Sequence, residues 1–219
     1  MILNKPALFR LTALVLTAAA LAAVPAGAKP AHGKKAAPAR KRPAPAKAAA
    51  SSWKPDAKLL ALLQPETQLG PFSMRLPAGY TVQRDDVSDP TTQVSRFFAT
   101  GPKRAEGSFP VIFVLVGVAT PGYRTGSADG LLDGNVVINE KPGLVKSGFE
   151  DSEANGLIMV RQYFKYPARP GSGRLFHGFH YATTDGTTDA IVAAMDIEPG
   201  NADTLPLAEA AALTLHKTP

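Results

Sequence analysis

Residues Val111 to Val118 read Val-Ile-Phe-Val-Leu-Val-Gly-Val, an apolar run broken only by Gly117 and bounded by Pro110 and Pro121. A run this short and this rich in β-branched residues predicts a central strand covered on both faces. Whatever the fold, it must supply a layer over each side of that strand, either helices or a second sheet.

The remaining elements predict how those layers are made. Phe72, Met74 and Leu76 alternate with Ser73 and Arg75, and Pro77-Ala78-Gly79 marks a turn into a second strand through Tyr80 and Val82. Arg84 to Thr92 is polar and reads as a loop, and Val94 to Ala99 as a third strand. Upstream, the leucines between Trp53 and Leu63 predict a short docking helix, with Trp53 as the anchor where the domain begins. Leu131 to Glu140 predicts a helix weakened by Gly130 and Gly134.

In the C-terminal half, Ile158, Val160, Phe164 and Tyr166 alternate with Met159, Arg161, Tyr163 and Lys165. A Pro/Gly turn at Ala168 to Gly173 returns the chain through a strand at Leu175 to Ala182. Thr184-Asp185-Gly186 turns it again into Ala190 to Ile197. Thr204 predicts the N-cap of a last helix running to His216, burying Leu205, Ala208, Ala212 and Leu215. Strands joined as hairpins with few helices predict an α+β fold, an antiparallel β-sheet layered with helices, rather than a parallel βαβ sheet.

The N-terminus predicts the compartment. Lys5 and Arg10 precede an apolar segment from Leu11 to Ala23, and Ala26-Gly27-Ala28 before Lys29 forms an A-x-A cleavage site. Residues 1–28 therefore read as a signal peptide cut between Ala28 and Lys29, shorter than a membrane span. Residues 29–52 are Ala, Pro, Lys and Arg with little else, and read as a disordered basic tether. Residues 53–219 read as one globular domain.

Charge is divided the same way. The chain is +6, but residues 1–52 hold nine basic residues and no acid. That leaves 15 of the 24 basic residues against all 18 acids in the domain, a net of −3. This balance excludes nucleic acid as the domain's expected partner. The tether's charge suits peripheral contact with an anionic surface. There is no Cys, hence no disulfide and no thiolate metal site.

The strand Phe72-Ser73-Met74-Arg75-Leu76-Pro77, the turn and aromatic strand Ala78-Gly79-Tyr80-Thr81-Val82, and the closing meander and helix from Asn155 to His216 together resemble the Mog1/PsbP-like α/β/α sandwich. The resemblance spans about Gln68 to Lys217. It implies a three-layer fold and, for bacterial members, export. It implies no catalytic residues, because none characterise that family.

The candidate chemistry is sparse. His177 and His180 in His-Gly-Phe-His are three apart, so on a strand they point to opposite faces, with one half-exposed histidine expected on each. Asp85, Asp86 and Asp89 lack calcium-loop spacing, and Glu150, Asp151 and Glu153 read as a polar edge or loop. Gly126-Ser127 and Gly171-Ser172-Gly173-Arg174 read as turns, with neither a nucleophile elbow nor a phosphate loop around them. No pattern points to a cofactor or metal. The expected binding surface is an open sheet face carrying Arg161, Tyr163 and Lys165, with His177 and Tyr181 on a neighbouring strand. The function expected is a non-enzymatic binding or accessory module of the bacterial envelope, periplasmic or extracellular, with an envelope protein or polyanion as partner. The alternatives are an envelope hydrolase and an adhesion protein acting through its cationic tether.

Overall fold

A computed structural model of the chain describes residues 53–88, 92–105, 107–134 and 136–219. The expected signal peptide, its Ala26, Ala28 and Lys29 cleavage site, and the tether lie outside these residues. In chain order the elements are α1 (Ala57–Leu60), β1 (Leu63–Leu69), β2 (Phe72–Pro77), β3 (Thr81–Ser88), β4 (Thr92–Thr100), β5 (Val111–Ala119), α2 (Ala128–Asp133) and α3 (Val136–Asn139). They continue with β6 (Val145–Lys146), β7 (Glu150–Ala154), β8 (Leu157–Pro167), β9 (Leu175–Thr184), β10 (Thr188–Ile197), α4 (Asn201–Ala212) and β11 (His216–Lys217).

The fold is α+β. An eight-stranded antiparallel sheet runs β3-β4-β5-β10-β9-β8-β6, with β7 also on β8, and a three-stranded sheet runs β1-β2-β11. The small sheet and α4 lie together over one face of the large sheet. Their core joins Phe72, Met74 and Leu76 of β2 and Ala208, Ala211 and Ala212 of α4 to Ile112, Val114 and Val116 of β5 and Val192 of β10. The opposite face carries α2, whose Leu131 and Leu132 pack on Val160, Ala182 and Ile191, and α3, whose Ile138 meets Phe164 and Tyr166.

The central strand is where expected, between β4 and β10. Its covering is not. Ile112, Val114 and Val116 are each 1% exposed, but on the other side Phe113 and Leu115 are only half-buried. Phe113 rests on Phe98, ring centroids 5.2 Å apart, because α2 covers β8 to β10 and stops short of β4.

Other boundaries differ for identifiable reasons. The polar stretch from Arg84 is strand, not loop: β3 is a sheet edge, paired with β4 through Ser88, and its charges face water. The expected N-terminal helix is a single turn, and Pro65 falls instead within β1, at the register shift between Leu63 and Glu66. This is a position an edge strand tolerates without a donor. The expected helix at 131–140 is two short ones, α2 ending at Gly134.

The last helix begins at Asn201, before Thr204. Thr204 is not its cap: its hydroxyl donates to Asp196 and to the Gly200 carbonyl at 3.0 Å. Nor does the helix reach His216. It ends at Ala212, and His216 and Lys217 pair with Ser73 and Phe72 of β2. Asn155, at φ 52°, and Gly156, at φ 75°, make the tight β7–β8 turn. The Asn155 amide donates to the carbonyls of Leu213 and Leu215 at 2.8 and 3.1 Å, which holds the end of α4 against the sheet. Among the described residues no helix is long and apolar enough to cross a membrane.

Candidate functional site

The pairing of β8 with β9 sets the site. Arg161 lies opposite Tyr181, Tyr163 opposite Phe179, and Lys165 opposite His177. Alternation along each strand puts all six on the face that carries α4. The structure therefore brings Arg161, Tyr163, Lys165, His177 and Tyr181 together, but not on an open surface. Helix α4 lies across them, Tyr181 is fully buried, and only Lys165 is exposed. What remains accessible is a groove beside the helix.

At one end, Glu209 of α4 organises the polar groups. Its Oε1 accepts hydrogen bonds from the hydroxyls of Tyr163 and Tyr181 and, at 3.4 Å, from Arg161. Arg161 also donates to Glu150 of β7 at 2.7 and 3.0 Å, and its guanidinium lies 4.3 Å from the Trp53 ring centroid and 5.2 Å from that of Tyr163. The Trp53 ring meets Tyr181 edge-on at 5.6 Å. Trp53 thus anchors the start of the domain by cation–π stacking on a desolvated arginine.

The electrostatics fit a fixed wall. Burial, followed by the hydrogen bond to Glu209, pushes the Tyr163 phenol up to about 12. The same two causes push Tyr181 up further. Burial alone would lower Arg161, but its bonds to Tyr181 and Glu150 outweigh that and hold it above its ordinary value. Both phenols stay protonated near neutrality and act as donors.

Two hollows flank this cluster and share Tyr163, Pro206 and Glu209 as their dividing wall. The smaller, about 330 Å³, opens between Trp53, Asp56, Leu59 and Arg161. The larger, about 530 Å³, runs along α4 between Leu205 and Asn201 on one side and Phe179, His177, Lys165 and Val145 on the other.

At the far end of this groove, the His177 Nε2 lies 2.7 Å from Glu198 Oε1, and Glu198 also accepts from the Leu175 amide at 3.3 Å. The His177 hydrogen bond is the largest cause holding the Glu198 carboxyl below its usual range. His180 is on the opposite face, as alternation requires, but it is fully buried rather than half-exposed. Its Nε2 pairs with Gln162 Oε1 at 3.1 Å, and burial, with the Lys146 charge, pushes it down to about 4.

The other sequence candidates are absorbed by the fold. Asp86 pairs with Arg84 at 2.8 Å and Asp85 with Arg96, while Asp89 lies outside the described residues. Glu150, Asp151 and Glu153 sit on edge strand β7. Ser127 caps α2 by accepting from Gly130 N at 3.2 Å, and Arg174 donates to the Glu198 carbonyl at 2.9 Å. Among the described residues no group of three or more His, Asp or Glu could hold a metal ion.

Sequence reasoning missed Glu209, though it is the one charged residue between Thr204 and Leu215, and read Leu205 as helix core rather than groove wall.

No family model matches the chain, and no curated protein matches it. Solved structures do. A cyanobacterial PsbP (CyanoP) from Synechocystis sp. PCC 6803 aligns with TM-score 0.48 at 11% identity, over 72% of this chain and 94% of that one. LpqN, involved in cell envelope biogenesis of Mycobacterium tuberculosis, aligns with TM-score 0.42 at 14% identity, over 63% and 92%. A protein from Bacteroides thetaiotaomicron VPI-5482 aligns with TM-score 0.43 at 12% identity, over 68% of this chain and 46%, less than half, of its own length. The likeness is one of fold, at the level of the resemblance drawn from Phe72 to Val82 and the C-terminal meander. At these identities and TM-scores it carries nothing about what the chain binds.

Proposed function

We propose that this chain is an exported, non-enzymatic binding module of the bacterial cell envelope, and that it binds through the groove between α4 and the β8–β9 pair. Export rests on the n-region, apolar segment and Ala26-Gly27-Ala28 site of the sequence. The observation that carries the binding reading is the convergence of Tyr163, Lys165 and His177 with Leu205 and Phe179 around one cavity of about 530 Å³. Clefts of this size, mostly apolar with a few placed polar groups, are the usual form of a ligand site. The polar groups at the inner end are spent on one another through Glu209, which supports a rigid wall rather than reacting groups.

In-cell photo-crosslinking tests the reading. Val145 lines the groove and is 55% exposed; Ile158 is 71% exposed on the opposite face of the same strand layer. A photoreactive residue at Val145 should give adducts in the native host that the same residue at Ile158 does not. Equal labelling at both positions, or none at Val145, would overturn the groove as the binding site.

A further inference from the structure

We propose that the groove takes a single-chain amphiphile with a carboxylate head. This rests on the reading of the groove as a binding site and names its ligand. The head sits on Lys165, and the chain lies along Val145, Leu205 and Pro206.

Four observations carry it. First, Lys165 is exposed at the groove mouth and its ammonium makes no hydrogen bond or ion pair among the described residues, although it stands directly across from His177. Second, the His177 ring already holds a carboxylate, Glu198 Oε1 at 2.7 Å, while staying partly exposed. That pair is closed on itself, since the other Glu198 oxygen accepts from the Leu175 amide at 3.3 Å, and it leaves Lys165 to meet an added anion.

Third, the groove has an electrostatic direction. Asn201, in the first turn of the 12-residue α4, lines the cationic end, where the helix dipole also favours an anion. The other end is closed by the Glu209 carboxylate, with its Oε1 already engaged. An anionic head meets Lys165 at one end, where Glu198 is already paired with His177, and is repelled by Glu209 at the other. An uncharged amphiphile would leave Lys165 unanswered, and a cationic one would be repelled by it. Lys146 does not compete, since its ammonium is turned to Asn139 Oδ1 at 3.0 Å.

Fourth, the walls are side chains rather than an open strand edge. The free side of β8 is taken by β6 and β7, so an extended peptide cannot pair with β8 itself. An acyl chain needs only the apolar wall.

The test is calorimetric titration of the full chain with octanoate, decanoate and decanol below their aggregation limits. Decanoate should bind, two- to fourfold more tightly per added methylene from octanoate, and about tenfold more tightly than decanol. Lys165→Glu should weaken decanoate about tenfold or more, and Lys165→Arg should restore it. Val145→Asp, at an exposed wall position, should weaken it without touching the core. Decanol binding as well as decanoate, or a Lys165→Glu chain with unchanged affinity, would overturn the proposal. If decanoate fails while crosslinks at Val145 persist, the ligand class falls and the groove stands. If both fail, the groove falls too.

Discussion

Two buried ionisable side chains on the α2-covered face of the large sheet pull stability in opposite directions with pH. Asp189 is 3% exposed, and its Oδ1 has no hydrogen-bond partner among the described residues. Burial pushes its acid up to about 6 against the pull of the Gly117 amide, so the folded chain keeps a proton that the unfolded chain has already lost. Its burial therefore weakens the fold as pH rises from about 4 through 6. Gly117 makes room for it, since a Cβ there would lie 2.3 Å from Oδ1. His180 acts in reverse. Pushed down to about 4 by burial, it stays neutral while the unfolded chain takes up a proton below 6.5, so it weakens the fold as pH falls through that window. Asp189→Asn removes the first effect only. It should raise the unfolding free energy at pH 8 by about 1–3 kcal/mol, and should leave stability climbing with pH between about 4 and 6.5. Urea melts at pH 4.5, 6 and 8 read both effects, and a variant no more stable than wild type at pH 8 would refute the account.

At the scale of elements, α4 is placed by groups outside it. Its cap residue, Gly200, offers no side chain, and Asp203 N and Thr204 N both close on the Gly200 carbonyl at 3.3 Å. The anchor is Asp196 at the end of β10, which accepts Thr204 from the helix and both terminal guanidinium nitrogens of Arg104. Burial would raise the Asp196 carboxyl, but the Arg104 and Thr204 hydrogen bonds outweigh it and hold it below the usual range. Removing the cation leaves a buried carboxylate without its counter-charge, held only by the Thr204 hydroxyl and the Ile197 amide. Arg104→Leu should therefore cost about 3–5 kcal/mol. Before global unfolding it should speed amide exchange in residues 201–205, of which Asn201 and Leu205 line the groove. Unchanged exchange there would mean that α4 is held by its apolar face alone. Much of the element pattern was legible. β2 and β8 follow from alternation, and β9 and β10 from the turns at Ala168 to Gly173 and Thr184-Asp185-Gly186, because these signals lie within a few residues of one another. The start of α4 was not legible, because Thr204 reads as a cap until Asp196, eight positions upstream, is seen to take its hydroxyl.

For the whole molecule, the division of charge gives the last prediction. Protein recovered from the native host should begin at Lys29, as N-terminal sequencing would show, and retention of Met1 would place the basic segment in a different compartment with different partners. The sequence by itself determined the class of this protein: antiparallel strands, few helices, a net-acidic domain behind a basic segment. Those features depend on composition and on the period of two that places successive side chains on opposite faces, and both are local. It also placed Arg161, Tyr163 and Lys165 on one strand face. Only the tertiary structure decided that this face is a groove. The residue that closes it, Glu209, is 46 positions from Tyr163 and 48 from Arg161, and meets them only because α4 crosses β8 and β9. The same holds for β11, where His216 and Lys217 carry no strand signal of their own and become strand because β2 presents an unpaired edge. Periodicity fixes which way a side chain faces; what it faces is fixed by where distant segments pack, and no window of neighbouring residues contains that information.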